Sequence, residues 1–119
     1  MKKSSVLKEK SFKFSLAVVE ICRFLKKSKT EYVLYNQLLR SGTAVGALIS
    51  EAEFAQSKAD FINKLSIALK EENETVYWFG ILVKSNSLNE NTLSDANYLL
   101  TEVIKMLISS INTSKGNHS

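Results

Sequence analysis

Between Ser5 and Lys27, apolar side chains recur at steps of four and three: Leu7, Phe14, Val18, Ile21 and Leu25, with Ser11 in the one polar gap. That spacing marks one face of a helix, not the alternation of a strand. Phe12, Leu16 and Val19 widen the stripe. Ser28-Lys29-Thr30 is a polar break, and Thr30 is the expected N-cap of a second helix from about Glu31 to Ala55. Its stripe is Tyr35, Leu38, Gly42, Val45, Ile49 and Ala52. Ser57-Lys58-Ala59-Asp60 reads as a capping box, with the hydroxyl accepting from a free amide and Asp60 reaching back to the amide of Ser57. A third helix therefore begins near Lys58, with Ile62, Leu65, Leu69, Val76, Phe79 and Val83 as its stripe and Glu72 interrupting it. The polar run Ser85 to Asn91 ends it. A fourth helix is expected from about Thr92 to Ile111 through Leu93, Ala96, Leu100, Val103 and Leu107, followed by a fraying tail from Asn112 to Ser119.

Four amphipathic helices with short links can bury their stripes only against one another. The expected fold is all-α: a single-domain, antiparallel up-down-up-down four-helix bundle. The chain has 119 residues, no proline and four glycines, which fits one domain with long, unbroken helices. Phe12, Phe14, Phe24, Tyr77, Trp78 and Phe79 give helices one and three more apolar surface than one small bundle covers. Self-association is expected to close it.

Charge changes the picture further. The first thirty residues hold Lys2, Lys3, Lys8, Lys10, Lys13, Arg23, Lys26, Lys27 and Lys29 against Glu9 and Glu20, a net +7 on an otherwise mildly acidic chain. Such a segment can attract phosphate backbones, or it can be a solvated helix face. No signal-peptide pattern follows Met1-Lys2-Lys3, and no stretch nears the roughly 20 apolar residues that span a bilayer. A cytoplasmic protein without membrane contact is expected, with Cys22 a packed, reduced thiol.

Catalytic chemistry is scarce. His118 is the single histidine, so Glu51, Glu72 and Glu102 cannot be completed into the Glu-x-x-His pairs of a di-iron bundle, and no serine has a histidine base held on a helix. Cys22 alone makes neither an internal disulfide nor a thiolate zinc site. No enzyme activity, metal or cofactor is expected. The unusual stretch is Arg40 to Ala52, where Gly42, Gly46 and Ser50 repeat at spacing four. Helix glycines cost roughly 1 kcal/mol each against alanine, so close approach of a neighbouring helix, or of a ligand or nucleic-acid backbone, should compensate. Glu72 and Glu51 either reach water at a stripe edge or need a partner, for which Arg40 is a candidate.

The same stretch carries a resemblance. Tyr32-Val33-Leu34-Tyr35-Asn36-Gln37-Leu38-Leu39-Arg40-Ser41-Gly42-Thr43-Ala44-Val45-Gly46-Ala47, then Glu51-Ala52, resembles the bacterial four-helix-bundle proteins of the 23S rRNA intervening-sequence family. Ser57 to Leu65, Ala68, Lys70-Glu71, Glu74-Thr75 and Tyr77-Trp78 extend the likeness, while Leu48 stands where an Asn is expected. The resemblance implies a link to RNA, since some members look to be encoded within sequences that interrupt 23S rRNA genes. A similar bundle is the accessory variability protein of diversity-generating retroelements, which implies a homopentamer and a partner such as a reverse transcriptase. Two functions are therefore expected candidates. One is an oligomer that binds RNA or DNA backbone through Lys2, Lys3, Lys8, Lys10, Lys13, Lys26, Lys27 and Lys29, with Arg23 and Arg40 adding forked phosphate contacts. The other is an oligomeric protein-interaction scaffold with no nucleic-acid role.

Overall fold

The computed structural model describes residues 3–116, and side chains within 6–116. Four helices follow in order: α1 (Lys3–Lys27), α2 (Tyr32–Ala52), α3 (Lys58–Lys84) and α4 (Glu90–Ser114). They form a bundle 46 Å long in which α1 packs on α2 and α4, and α3 packs on α2 and α4. Leu25, Leu38, Leu82 and Leu93 share one apolar cluster, which marks the upper end, and Leu7, Ala52, Leu65 and Ile111 share the other, which marks the lower end. Consecutive helices therefore run antiparallel, as the short links require.

The stripes of α1, α2 and α4 are buried as their spacing predicts, apart from Tyr35, which is half-buried. Phe12 and Leu16, expected to widen the α1 stripe, lie outside the core and are exposed. The phase of α3 is corrected. Leu65, Ala68, Glu72, Thr75, Phe79 and Leu82 face inward, while Val76 is exposed and Ile62, Leu69 and Val83 lie at the stripe's edges. Two polar residues occupy core positions of α3, and they disguised its true repeat. Phe14 and Phe79, expected among the uncovered aromatics, are in the core.

The helix ends also depart in part from expectation. Glu31, not Thr30, is the N-cap of α2, and its side chain makes no capping bond. That helix stops at Ala52 because the Phe54 and Ala55 amides turn back to the carbonyls of Glu51 and Ala52. Ser57 caps α3 by accepting from the Asp60 amide at 3.0 Å, but the Asp60 carboxylate accepts from the Gln56 amide, not that of Ser57. Asn89 starts α4 earlier than expected, accepting from the Thr92 amide at 2.8 Å. The expected tail keeps helical form as far as Ser114, because Ile111 is still buried in the lower cluster.

Two links at the same end share one geometry. After α1 the Thr30 amide donates to the Leu25 carbonyl and the Lys29 amide to that of Lys26; after α3, Ser87 donates to Leu82 and Asn86 to Val83. Each is a Schellman closure with its pivot in the left-handed region, Lys29 at φ 62° and Asn86 at φ 64°. Asn tolerates that region; Lys does not, and holding it there costs roughly 1 kcal/mol.

Gly42 and Gly46 face α1. A Cβ on Gly42 would lie 2.8 Å from both γ-carbons of Val18, and one on Gly46 would lie 2.8 Å from Ser15 Oγ. Helix packing thus accounts for the small-residue repeat. Between the two apolar clusters lies a polar layer of Ser11, Ser41, Glu72 and Thr75, all buried. Thr75 Oγ1 is 3.0 Å from Ser41 Oγ and 2.9 Å from the Glu71 carbonyl. Neither oxygen of Glu72 has a hydrogen-bond partner, and burial pushes its carboxyl up to about 8. It reaches neither water nor Arg40, which corrects both sequence expectations.

Candidate nucleic-acid interface

α1 spreads its cations along its whole length, about 37 Å for 25 residues at 1.5 Å each. They cannot form one patch, and their partners sort them. Lys8 Nζ is 2.9 Å from Glu53, at the lower end of the bundle. Lys10 lies 3.3 Å from Glu102 of α4 and sits 6.0 Å from the centre of the Tyr98 ring. Lys13 is 3.9 Å from Glu9, one turn away. Arg23 bonds Glu20 at 2.7 Å. Arg40 bridges to α3, bonding Glu71 at 3.2 Å and also Glu74. The Trp78 indole N–H donates to the same Glu74 carboxylate at 2.9 Å. That bond, helped by Arg40, holds Glu74 below the usual carboxylate range. Glu51, for which Arg40 was the candidate partner, bonds Lys64 at 3.2 Å. Exposed pairs of this kind are worth about 0–1 kcal/mol. They neutralise charge more than they fasten helices.

Three of the candidate lysines are different. Lys26, Lys27 and Lys29 are exposed and have no ion pair among the described residues. All three belong to the closure that ends α1. Lys84, which ends α3 at the same end of the bundle, is likewise exposed and unpaired. Sequence reasoning missed it because a lone lysine carries no signal until the antiparallel topology brings the ends of α1 and α3, diagonal across the bundle, to the same end. Glu31 and Glu90 are the acidic residues that open the two neighbouring helices, and both are exposed. Lys3 opens α1 at the other end of the bundle. Lys2 lies outside the described residues.

Other chemistry does not assemble. Among the described residues no group of three His, Cys, Asp or Glu could hold a metal ion. Cys22 is buried, donates weakly to the Tyr35 carbonyl at 3.4 Å, and has its thiol pushed up to about 11 by burial, so it is a packing residue. A cleft of about 280 Å³ opens at the lower end between Leu7, Ile49, Phe61 and Leu65. It is apolar, and Lys8 and Glu53, which also line it, are bound to each other. No described helix is long and apolar enough to cross a membrane.

With that geometry in place, residues 3–109 match the model of the 23S rRNA-intervening sequence protein family. The chain belongs to that family. It is also similar to the crystal structure of a protein of unknown function from the S23 ribosomal protein family of Bacteroides thetaiotaomicron. The TM-score is 0.89 and the identity 47%, over 93% of this chain and 99% of that one. No curated protein matches the chain. In this chain Ser41, Gly42, Thr75 and the Arg40–Glu74–Trp78 network all lie in the stretches that carried the resemblance. Those residues are spent on packing α2 against α1 and α3. Lys26, Lys27, Lys29 and Lys84 lie outside the stretches that carried it, whereas Lys58 and Lys70, also exposed and without an ion pair among the described residues, lie within them.

Proposed function

We propose that this family member is a non-enzymatic, cytoplasmic homo-oligomer that binds RNA or DNA backbone through a basic surface. The observation that carries the reading is the grouping of Lys26, Lys27 and Lys29, without ion pairs among the described residues, at one end of the bundle, while Lys8, Lys10, Lys13, Arg23 and Arg40 are engaged with carboxylates. Ammonium groups without partners release counterions from a phosphate backbone at no cost in broken ion pairs. Oligomerisation repeats the cluster and multiplies its affinity. Self-association has its own support. Phe12, Leu16, Tyr77 and Tyr98 are large apolar or aromatic side chains left exposed by a single chain. A homopentamer is the state that the retroelement resemblance implies.

The test combines mass measurement in solution with titration of RNA and DNA at low and moderate salt. The expected result is an oligomer that binds both polymers and weakens steeply with salt. Each subunit's three lysines should contribute about −2 to the slope of log affinity against log salt. A binding-incompetent oligomer that instead retains one polypeptide after nuclease treatment would favour the scaffold reading.

A further inference from the structure

The upper end of the bundle carries more than charge. Phe24, one turn before the end of α1, is 48% exposed, and Tyr32, the first residue of α2, is 64% exposed. In the chain the two rings flank Lys26 and Lys27, the last residues of α1, and Lys29 of the link. The Tyr32 ring stands edge-on to Tyr35, with centroids 5.6 Å apart and planes at 86°. Tyr35 is half-buried and packs on the upper apolar cluster, so the Tyr32 ring is supported along its edge. Lys29 is kept at φ 62°, where Gly or Asn would be at ease. A lysine tolerated there, beside two lysines without partners, indicates a charge kept for use at the expense of the turn.

We infer that this end takes single-stranded nucleic acid, with the lysines on successive phosphates and the rings of Phe24 and Tyr32 stacked on bases. This rests on the nucleic-acid reading above and narrows it to a substrate class. Cations alone would serve a duplex equally well. Rings stack only on bases whose faces are open, which a duplex does not offer along its length. The partner is set by charge complementarity, with Lys26, Lys27, Lys29 and Lys84 outnumbering Glu31 and Glu90, the exposed carboxylates that open α2 and α4 at this end. Stacking is tolerant of base identity, so recognition is weakly sequence-selective.

The test is fluorescence anisotropy with labelled oligouridine, oligothymidine and a duplex of equal length, at about 50 and about 200 mM salt. Phe24→Ala with Tyr32→Ala should weaken both single strands about tenfold or more, leave the duplex nearly unchanged, and leave the salt slope unchanged. Lys29→Gly should lower the slope by about 0.7 and raise the melting midpoint by about 3 °C. Far-UV circular dichroism and solution mass verify that the ring variant keeps its fold and oligomeric state. Equal loss on strand and duplex, no loss on either, or a changed mass would overturn the stacking inference. If the ring variant binds like wild type while Lys26→Glu, Lys27→Glu and Lys29→Glu together abolish binding, the inference fails and the broader reading stands. If wild type binds none of the three probes, both fall.

Discussion

Glu72→Leu is expected to stabilise the bundle at neutral pH and to remove a loss of stability that wild type suffers as pH rises. Glu72 is 0% exposed, has no partner for either oxygen, and has its carboxyl pushed up to about 8 by burial alone. No charged group shifts it. The nearest charge networks named above, Lys10–Glu102 across α1 and α4 and Arg40 with Glu71 and Glu74 across α2 and α3, are satisfied among themselves. The sign follows from linkage. Below the ordinary value of 4.5, both folded and unfolded chains hold the proton. Between 4.5 and about 8 the unfolded chain gives it up and the folded chain does not, so folding is penalised progressively. The full loss is on the order of 5 kcal/mol. Glu74 acts oppositely, since its lowered value contributes stability that is lost in acid. Urea unfolding of wild type and Glu72→Leu at several pH values separates the two, because only the difference between the curves belongs to Glu72. The difference should grow from pH 5 to about 8 and then level off. A difference that stays flat across this range would mean that the carboxylate finds a partner.

Gly42→Leu should cost on the order of 3 kcal/mol, and Gly42→Ala about 1 kcal/mol despite alanine's better helix propensity. Any Cβ at this position meets both γ-carbons of Val18 at 2.8 Å. Val18 is fully buried and β-branched, with one strongly preferred rotamer in a helix; rotation would leave a methyl against the new Cβ and drive the other into the packed core. α1 and α2 would have to part. Gly80 is the internal control. It lies in mid-helix on an exposed face, and a Cβ there meets nothing within 4 Å. Gly80→Ala should therefore stabilise by about 1 kcal/mol. Thermal or urea unfolding that moved both alanine variants the same way would remove close helix approach as the reason for Gly42.

These two residues also mark how far the sequence could be read. The stripes of α1, α2 and α4 were legible because their inward positions are almost all apolar or small, with Ser11 and Ser41 the buried hydroxyls. In α3, Glu72 and Thr75 occupy inward positions, and a hydrophobicity pattern assigns such residues to the surface. Leu69 and Val76 then looked like the better stripe. Helix ends slipped by two or three residues where backbone turns decided them, as at Glu53 and Phe54. The lysines themselves were visible in the sequence. The division of the cations into paired and unpaired groups was not, because Glu53, just past the end of α2, Glu102 of α4, and Glu71 and Glu74 of α3 meet Lys8, Lys10 and Arg40 only after folding. Phe24 and Tyr32 were visible as aromatics, but their exposure beside a cationic turn is a property of the folded end.

The most direct measurement is the salt dependence of nucleic-acid affinity for wild type beside the triple variant Lys26→Glu, Lys27→Glu and Lys29→Glu. The three lysines make no ion pair among the described residues, so their reversal breaks none. It does set carboxylates against the C-terminal end of the α1 dipole, and a fall of a few degrees in the unfolding midpoint is expected, with far-UV circular dichroism and solution mass verifying that the variant is folded. The expected result is a steep inverse dependence for wild type that flattens in the variant, with affinity falling by about a hundredfold or more at low salt. An equally steep dependence in both proteins would place the contact elsewhere on the bundle, and the account of its upper end would be contradicted.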